Sequence, residues 1–533
     1  MKAAIASSIV IFVSAAIADY TPCALLGSYF PPPSSSSIRR ANLADSFQAA
    51  FDKLVSDGGD ETYGEIFPNT TSFSVIYFSG SSSDADEGGS SIFEFQHTSP
   101  YDTAHGKSAV TADTRFPLGE VTMVFTVYAW LIKMGDHWSD PITKYLPELN
   151  THGGDFEIPW DDITIGDLAG HTSGLPRSSI ACTVGKPCDA DKFLPDLRSQ
   201  GPAFLPHTTP MVSYAAFQVL ALAIEQSNGS GDESYTDIMN EAIFKPLGME
   251  HTSFIRQGKC GNSTNSGLNT TARDWHPNSA ISAVSTARDL ASAGNAMLSS
   301  KLISASATRK WLQRGVDSSN LRNGVGYPWE VYRSGNETKP IVDILIKIGT
   351  IGSYASYFGL SRDFDVGFAI LARDYTVTDG KLDLNVYADV ASDSLGKLQN
   401  VALAEMGGRY AGPFKSASGD DLVLDVTGPG LEVIKMTVNG EDRKQNVAEA
   451  LGIEVESLDF RLYPTNVRDD KRHQYVAVFQ DSDAPVDAGT PTCITWQEVG
   501  SLYSAPNRFV FELDDTGIAV SVDVKNGEKY IRG

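Results

Sequence analysis

Positive charge is scarce in this chain. Of 533 residues, 42 are Lys or Arg against 66 Asp or Glu, a formal net charge of −24. Such a surface repels phosphate backbones and anionic lipid, so nucleic acid and membrane are not expected partners. Cysteine is scarcer still, limited to Cys23, Cys182, Cys188, Cys260 and Cys493, and there are nine histidines. None of them stands at metal-ligand spacing, so no metal and no cofactor are expected. Membrane-length apolar runs are missing as well. The internal run Val121–Ile132 has twelve residues, where a span needs about 20. No repeat of fixed period is present.

What the chain does have begins at its N-terminus. "MKAAIASSIVIFVSAAIA" carries one charge at Lys2, an apolar middle and small residues at Ala16 and Ala18. This reads as a secretory signal over 1–18, cleaved before Asp19, rather than as an anchor. Five Asn-x-Ser/Thr sequons, at Asn69, Asn228, Asn262, Asn269 and Asn336, fit a secreted glycoprotein. In an oxidising compartment Cys182 and Cys188 are close enough to staple a loop, and the odd total leaves at least one thiol unpaired. Sequence alone assigns neither the pairing nor an oligomeric state.

Organisation follows from patterning. Residues 19–45 are a Pro/Ser-rich leader, extended through "FPPPSSSSIRR". A helix is expected in "ANLADSFQAAFDKLVSDG" and strands in "SFSVIYFSG" and "SIFEFQHTSP". Helices follow in "ITIGDLAGHTSGLPR", stopped by Gly174 and Pro176, then in "AAFQVLALAIEQSNG", "YTDIMNEAIFKPLGM" and "TARDLASAGNAML". Strands return in "VDILIKIGT", "SYASYFGLS" and "VGFAILARDY". Strands, many helices and strands again predict one mixed α/β domain over 46–404 whose sheet draws on both ends. From 405 to 533, short strands separated by turn signals predict a separate β-rich domain, with a small barrel as one form of it.

Several segments then carry a resemblance. "PLGEVTMVFTVYAW", "DPITKYLPEL", "ITIGDLAGHTSGLPR", "LPHTTPMVSYAAFQVLALAIE", "IFKPLGMEHTSF" and "IKIGTIGSYASYFGL" occur in order over about 70–380. Together they resemble the serine β-lactamase and penicillin-binding-protein superfamily, close to its class C branch. The chain looks most like secreted fungal β-lactamase-like proteins with an added C-terminal β domain. The resemblance implies a transpeptidase-like antiparallel sheet flanked by helices, an all-helical subdomain and a smaller β-rich domain. It also implies three motifs: a Ser-x-x-Lys opening the central helix, a Tyr-x-Asn on a loop and a Lys-x-Gly on an edge strand.

The chain departs from that pattern where the chemistry resides. The serine position holds Glu120 and the lysine position holds Met123. The Tyr-x-Asn triplet becomes Val212, Ser213 and Tyr214; a register shift in the loop would instead put Tyr214 in the tyrosine's place. Only Lys347-Ile348-Gly349 keeps its form, and close strand packing is a sufficient reason for Gly349. A serine hydroxyl needs a base before it attacks, and Met123 supplies none. Acyl-enzyme chemistry of the family kind is therefore expected to be lost.

Three readings of Glu120 remain open. It is a general acid or base, with Tyr214 as a hydrogen-bond donor and Lys347 beside it, in a pocket lined by Met123, Val212, Ser213 and Gly349. Isomerisation, cyclisation or elimination of a small metabolite would suit such a site. Alternatively Glu120 pairs with Lys347 and the protein binds a small-molecule ligand or partner without turnover. Or Glu120 is an ordinary first-turn carboxylate, and a conventional serine hydrolase site lies elsewhere. His171 is read as a structural histidine beside a turn.

Overall fold

The computed structural model describes residues 20, 22, 29–80, 91–150, 156–179, 190–227, 233–255, 279–336, 339–377, 382–484, 507–524 and 528–533. The expected signal segment, all five cysteines, and Asn228, Asn262 and Asn269 lie outside the described residues. The chain divides into two compact units. One comprises Pro32–Ser334 and Val342–Val401; the other comprises Ala402–Gly533 with Met1–Pro31 and Gly335–Ile341.

The larger unit is built on an eight-stranded sheet. Its strands are β1 (Ser72–Ser79), β2 (Ser91–His97), β3 (Val316–Asp317), β4 (Asn323–Val325), β5 (Glu330–Asn336), β6 (Lys339–Ile351), β7 (Tyr354–Ser361) and β8 (Val366–Arg373), in the spatial order β2-β1-β8-β7-β6-β5-β4-β3. The segment before the helices thus pairs with the segment after them: β8 runs antiparallel to β1, with Ile370 opposite Val75. Residues of the central strands are buried on both faces because cores lie on both sides. In β1, Phe73, Val75 and Tyr77 face one core, and Ile76 and Phe78 face the other. That alternation is the two-residue period of a strand.

One core is closed by α1 (Leu43–Asp57). Its buried Leu43, Phe47, Phe51 and Leu54 recur at helical spacing and form one stripe. The chain then turns at Gly58, whose φ of 72° suits glycine. The other core holds the helical layer around α2 (Thr122–Met134). Every residue of α2 from Thr122 to Leu131 is buried, so its apolar residues go all the way round. Against it packs α3 (Tyr214–Gln226), and α4 (Ala287–Leu298) lies on β1 and β8. The helix expected to run to Gly174 is shorter: Ile165–Ala169 ends at Gly170.

The smaller unit is a closed barrel. Its strands are β9 (Gly412–Ser416), β10 (Asp421–Asp425), β11 (Leu431–Val438), β12 (Leu458–Arg468), β13 (Arg472–Asp481), β14 (Arg508–Leu513), β15 (Ala519–Val524) and β16 (Glu528–Arg532). They pair antiparallel around a ring that β10 closes by pairing with both β9 and β11. Leu422, Leu462, Phe509, Phe511 and Tyr530 fill it.

Two boundaries differ from expectation. Among its described residues, the leader over 19–45 is not extended throughout. Ser34 Oγ accepts the Ser37 N–H (3.3 Å) and starts the helix Ser35–Arg40, and α1 follows at once. A serine-rich stretch is thus used as helix-capping chemistry. Earlier in the leader, Tyr29 and Phe30 are buried in the core of the smaller unit, and the Tyr20 hydroxyl donates to Asp459 Oδ2 at 2.6 Å. The expected break at 405 falls inside α5 (Asn385–Tyr410), and the units divide between Val401 and Ala402.

Candidate active site

The approach to α2 is fixed by backbone. Phe116–Pro117 pairs with Ala283–Ser285, and the Leu118 N–H donates to Ala283 O (2.8 Å). A tight turn over Gly119–Val121 then enters the helix, with Glu120 at its middle. Strand β6 presses directly on this turn. A methyl group on Gly349 would lie 2.0 Å from Leu118 O, and one on Gly119 would lie 2.6 Å from Thr350 N. Gly119 also has φ +54°. Neither position admits a side chain without moving backbone, so close packing accounts for Gly349.

Glu120 is half-buried and takes a donor on each oxygen. Oε1 accepts from the Tyr214 hydroxyl at 2.5 Å, and Oε2 accepts from the Thr350 backbone N–H at 2.8 Å. A backbone N–H aimed at the tip of the helix is the kind of donor that stabilises an oxyanion during acyl transfer. Here a carboxylate of the protein already occupies it.

Tyr214 opens α3. Ser213 caps that helix, accepting the Ala216 N–H (3.0 Å) while its hydroxyl donates to Pro176 O (2.6 Å). Ser213 is buried and its hydroxyl is committed to structure. Burial first, and then the Glu120 carboxylate, push the Tyr214 phenol up to about 12, while Arg177 acts in the other direction. The phenol is therefore neutral at ordinary pH, and the proton between the two groups belongs to the tyrosine. The Arg177 guanidinium lies over the tyrosine ring, 5.2 Å from its centroid, and donates to its hydroxyl at 3.3 Å.

Lys347 does not pair with Glu120. Its ammonium, only 1% exposed, donates to Glu330 Oε1 at 2.9 Å, across neighbouring strands. The Glu120–Lys347 ion pair is thus replaced by a Lys347–Glu330 pair, because β6 directs the lysine toward β5. His171 lies fully buried nearby. Burial, reinforced by the Lys347 charge, pushes it down to about 3, so it stays neutral. Its Nε2 lies 3.3 Å from Pro328 O, and its Nδ1 has no partner among the described residues. This is the environment of a structural histidine.

The remaining residues sort by burial. Met123 is fully buried in the helical core, and Val212 packs partly buried against the same core. Thr122 Oγ1 accepts the Ala283 N–H (3.1 Å), and the Ser356 hydroxyl donates to Leu118 O (2.6 Å). Among the described residues at the tip of α2, no serine hydroxyl is hydrogen-bonded to a lysine amine. Sequence reasoning brought Glu120 and Tyr214 together but missed two of their neighbours, Thr350 and Arg177, and the partner of Lys347, Glu330. The Thr350 N–H carries no side-chain signal, and Arg177 and Glu330 are single charges without a motif. Asn69 is exposed, as a sequon requires.

With this geometry in hand, comparison with known proteins assigns the class. A family model described as "Beta-lactamase" matches residues 78–392, and one described as "Beta-lactamase-like-like, C-terminal domain" matches 402–528. The chain belongs to the beta-lactamase family. It is 24% identical over 585 aligned positions to a "Beta-lactamase-like protein" of Arthroderma benhamiae, covering 94% of each chain. It is also 29% identical over 157 positions to an unguisins hydrolase of Aspergillus campestris, spanning 27% of this chain and 28% of that relative. A solved class C beta lactamase from Rhodobacter sphaeroides aligns with a TM-score of 0.48 and 19% identity, over 66% of this chain and 99% of that one.

Proposed function

We propose that this protein binds a small organic metabolite outside the cell and transforms it by proton transfer at Glu120, without an acyl-enzyme. The observation that carries the reading is the 2.5 Å hydrogen bond from a neutral Tyr214 phenol to the Glu120 carboxylate. The carboxylate takes a proton from one substrate atom and the phenol gives one to another. Passage of the acquired proton from Glu120 to Tyr214 along their hydrogen bond then restores the pair. Isomerisation, cyclisation and elimination all fit that cycle. A fungal relative named for acting on unguisins supports a natural product as the substrate class. The apolar N-terminal segment and the five sequons support secretion.

A second reading has its own support. Both Glu120 oxygens and the Lys347 ammonium are already paired within the protein. A site satisfied in this way suits a binder that holds a ligand without turnover. Against a conventional hydrolase stand the structural commitments of Thr122, Ser213 and Ser356.

One set of measurements separates the three. A serine-directed phosphonate should leave the protein's mass unchanged, and a chromogenic cephalosporin and a nitrophenyl ester should survive. Incubation with metabolite extract should deplete a compound, and Glu120→Gln should abolish the depletion. A phosphonate adduct would reinstate acyl transfer. Ligand-induced thermal stabilisation with no depletion would leave the binder.

A further inference from the structure

We infer that Arg177, Phe204 and Leu205 form the entrance to this site and select an amphipathic organic anion, a carboxylate joined to an apolar body. The inference rests on the reading of Glu120 and Tyr214 as the functional pair, but it concerns what the site binds rather than what it does next.

The cation comes first. Arg177 is exposed, and its described contacts are one long hydrogen bond to the Tyr214 hydroxyl and the face of the same ring. Among the described residues no carboxylate lies within ion-pair reach of it. Several arginines of this acidic chain are held by acids, among them Arg288 by Glu94 and Asp113, Arg373 by Asp102, Arg461 by Asp459 and Arg472 by Asp469, and the partly buried guanidinium of Arg532 is taken up by backbone carbonyls. A guanidinium offers five N–H groups in a planar fork that matches a carboxylate at two points. At Arg177 most of that fork is unused among the described residues.

The backbone that carries the fork is also held in place. The Tyr214 N–H donates to Arg177 O (2.7 Å), and the Ser213 hydroxyl donates to Pro176 O. The turn bearing the arginine is thus tied to the start of α3, which lowers the ordering cost of binding.

The apolar part stands on the adjoining loop. The Ala203 and Phe204 N–H groups both donate to Gly174 O, at 2.9 and 3.2 Å. Gly174 has φ +67°, and a methyl group on it would lie 2.0 Å from Phe204 O, so the two loops touch. Phe204 and Leu205 leave 44% and 62% of their surface exposed. Gly174 is three residues before Arg177, so the loop bearing Phe204 and Leu205 docks on the turn that bears the cation. The Glu120 carboxylate repels a second anion and so places the head group on the arginine. A cationic ligand gains nothing there, and a neutral one leaves the fork unpaired.

The test uses the full secreted chain and three probes of one shape: 4-phenylbutyrate, its primary amide and 4-phenylbutylamine, with acetate as a head group alone. Calorimetry and thermal shift should give binding in the order phenylbutyrate, amide, amine, with at least a tenfold gap between the first two. Acetate should fall well below phenylbutyrate. Arg177→Gln should erase the gap without lowering the melting temperature, and Arg177→Lys should restore part of it. Phe204→Ser with Leu205→Ser should weaken phenylbutyrate and leave acetate unchanged. Glu120→Gln should bind phenylbutyrate at least as well as wild type, since a repulsive charge is gone. If that variant also keeps turnover, the acid-base reading falls while this inference stands. Equal binding of amide and carboxylate, undiminished binding by Arg177→Gln, or no binding by any probe overturns the inference.

Discussion

Two regions of the larger unit use nearly the same set of groups. Under β8, Asp102 takes the Ser72 hydroxyl at 2.5 Å and Arg373 Nε at 2.7 Å, and Arg373 lies 6.0 Å from the Tyr375 ring centroid. At the tip of α2, Glu120 takes a phenol at the same distance, and an arginine covers that phenol's ring. The difference is enclosure. Asp102 and Arg373 are each 1% exposed, and the guanidinium donates directly to the acid. Glu120 is half-buried, and Arg177 stands one residue further out. The sealed set pairs acid and guanidinium directly through Asp102 Oδ2 and stabilises the fold, with Asp102 Oδ1 left without a partner among the described residues, whereas the open set keeps N–H groups in reserve for a ligand.

The comparison can be broken most sharply at the sealed pair. Asp102→Asn strands a buried guanidinium, and chemical denaturation should show a loss of about 3–5 kcal/mol. Gly349→Ala forces a methyl group onto Leu118 O. It should cost about 1–3 kcal/mol and displace the Thr350 N–H from Glu120, which amide exchange at Thr350 would report.

His171 tests the interior beside Lys347. Its folded value, about 3, lies below the ordinary 6.5, so its stabilisation is complete above pH 6.5. It drains as pH falls toward 3, because only the unfolded chain takes up the proton. Denaturation at pH 7 and pH 5 should differ by about 2 kcal/mol from this group, and His171→Asn should remove that share of the difference. In the open set, Tyr214→Phe should cost about 1 kcal/mol, and the phenol titrating near 12 in absorbance at alkaline pH should vanish. Arg177→Gln should change stability by under about 0.5 kcal/mol. A large loss there would mean that the outer arginine is structural after all, and that the contrast fails.

What the sequence disclosed follows the range of the forces involved. The run from Val121 to Ile132 announced a core helix because near-total burial leaves almost no polar residue in it. The strands of both units were legible from alternation and turns. α5 was not. Its residues from Tyr387 to Leu398 serve one core, and Ala402, Met406 and Tyr410 serve another, so no single stripe persists along its length. At the site, Glu120 and Tyr214 were visible as substitutions in a known pattern. The partner of Glu120 Oε2 is a backbone donor 230 positions away, and no side chain advertises it. The pairing of Lys347 with Glu330 depends on which way a strand residue faces, and that is settled only when the hairpin forms.

The ring closure of the smaller unit has a consequence for how this protein would clump. The barrel closes its ring through a short seam, with β11 and β12 paired only at Leu431–Leu462 and Glu432–Arg461, whereas among the described residues the eight-stranded sheet ends at β2 on one side and at β3 on the other. β3 is two residues long, which makes a poor template for a neighbouring chain. Ladder-type association at the eight-stranded sheet therefore has β2 as its principal landing place.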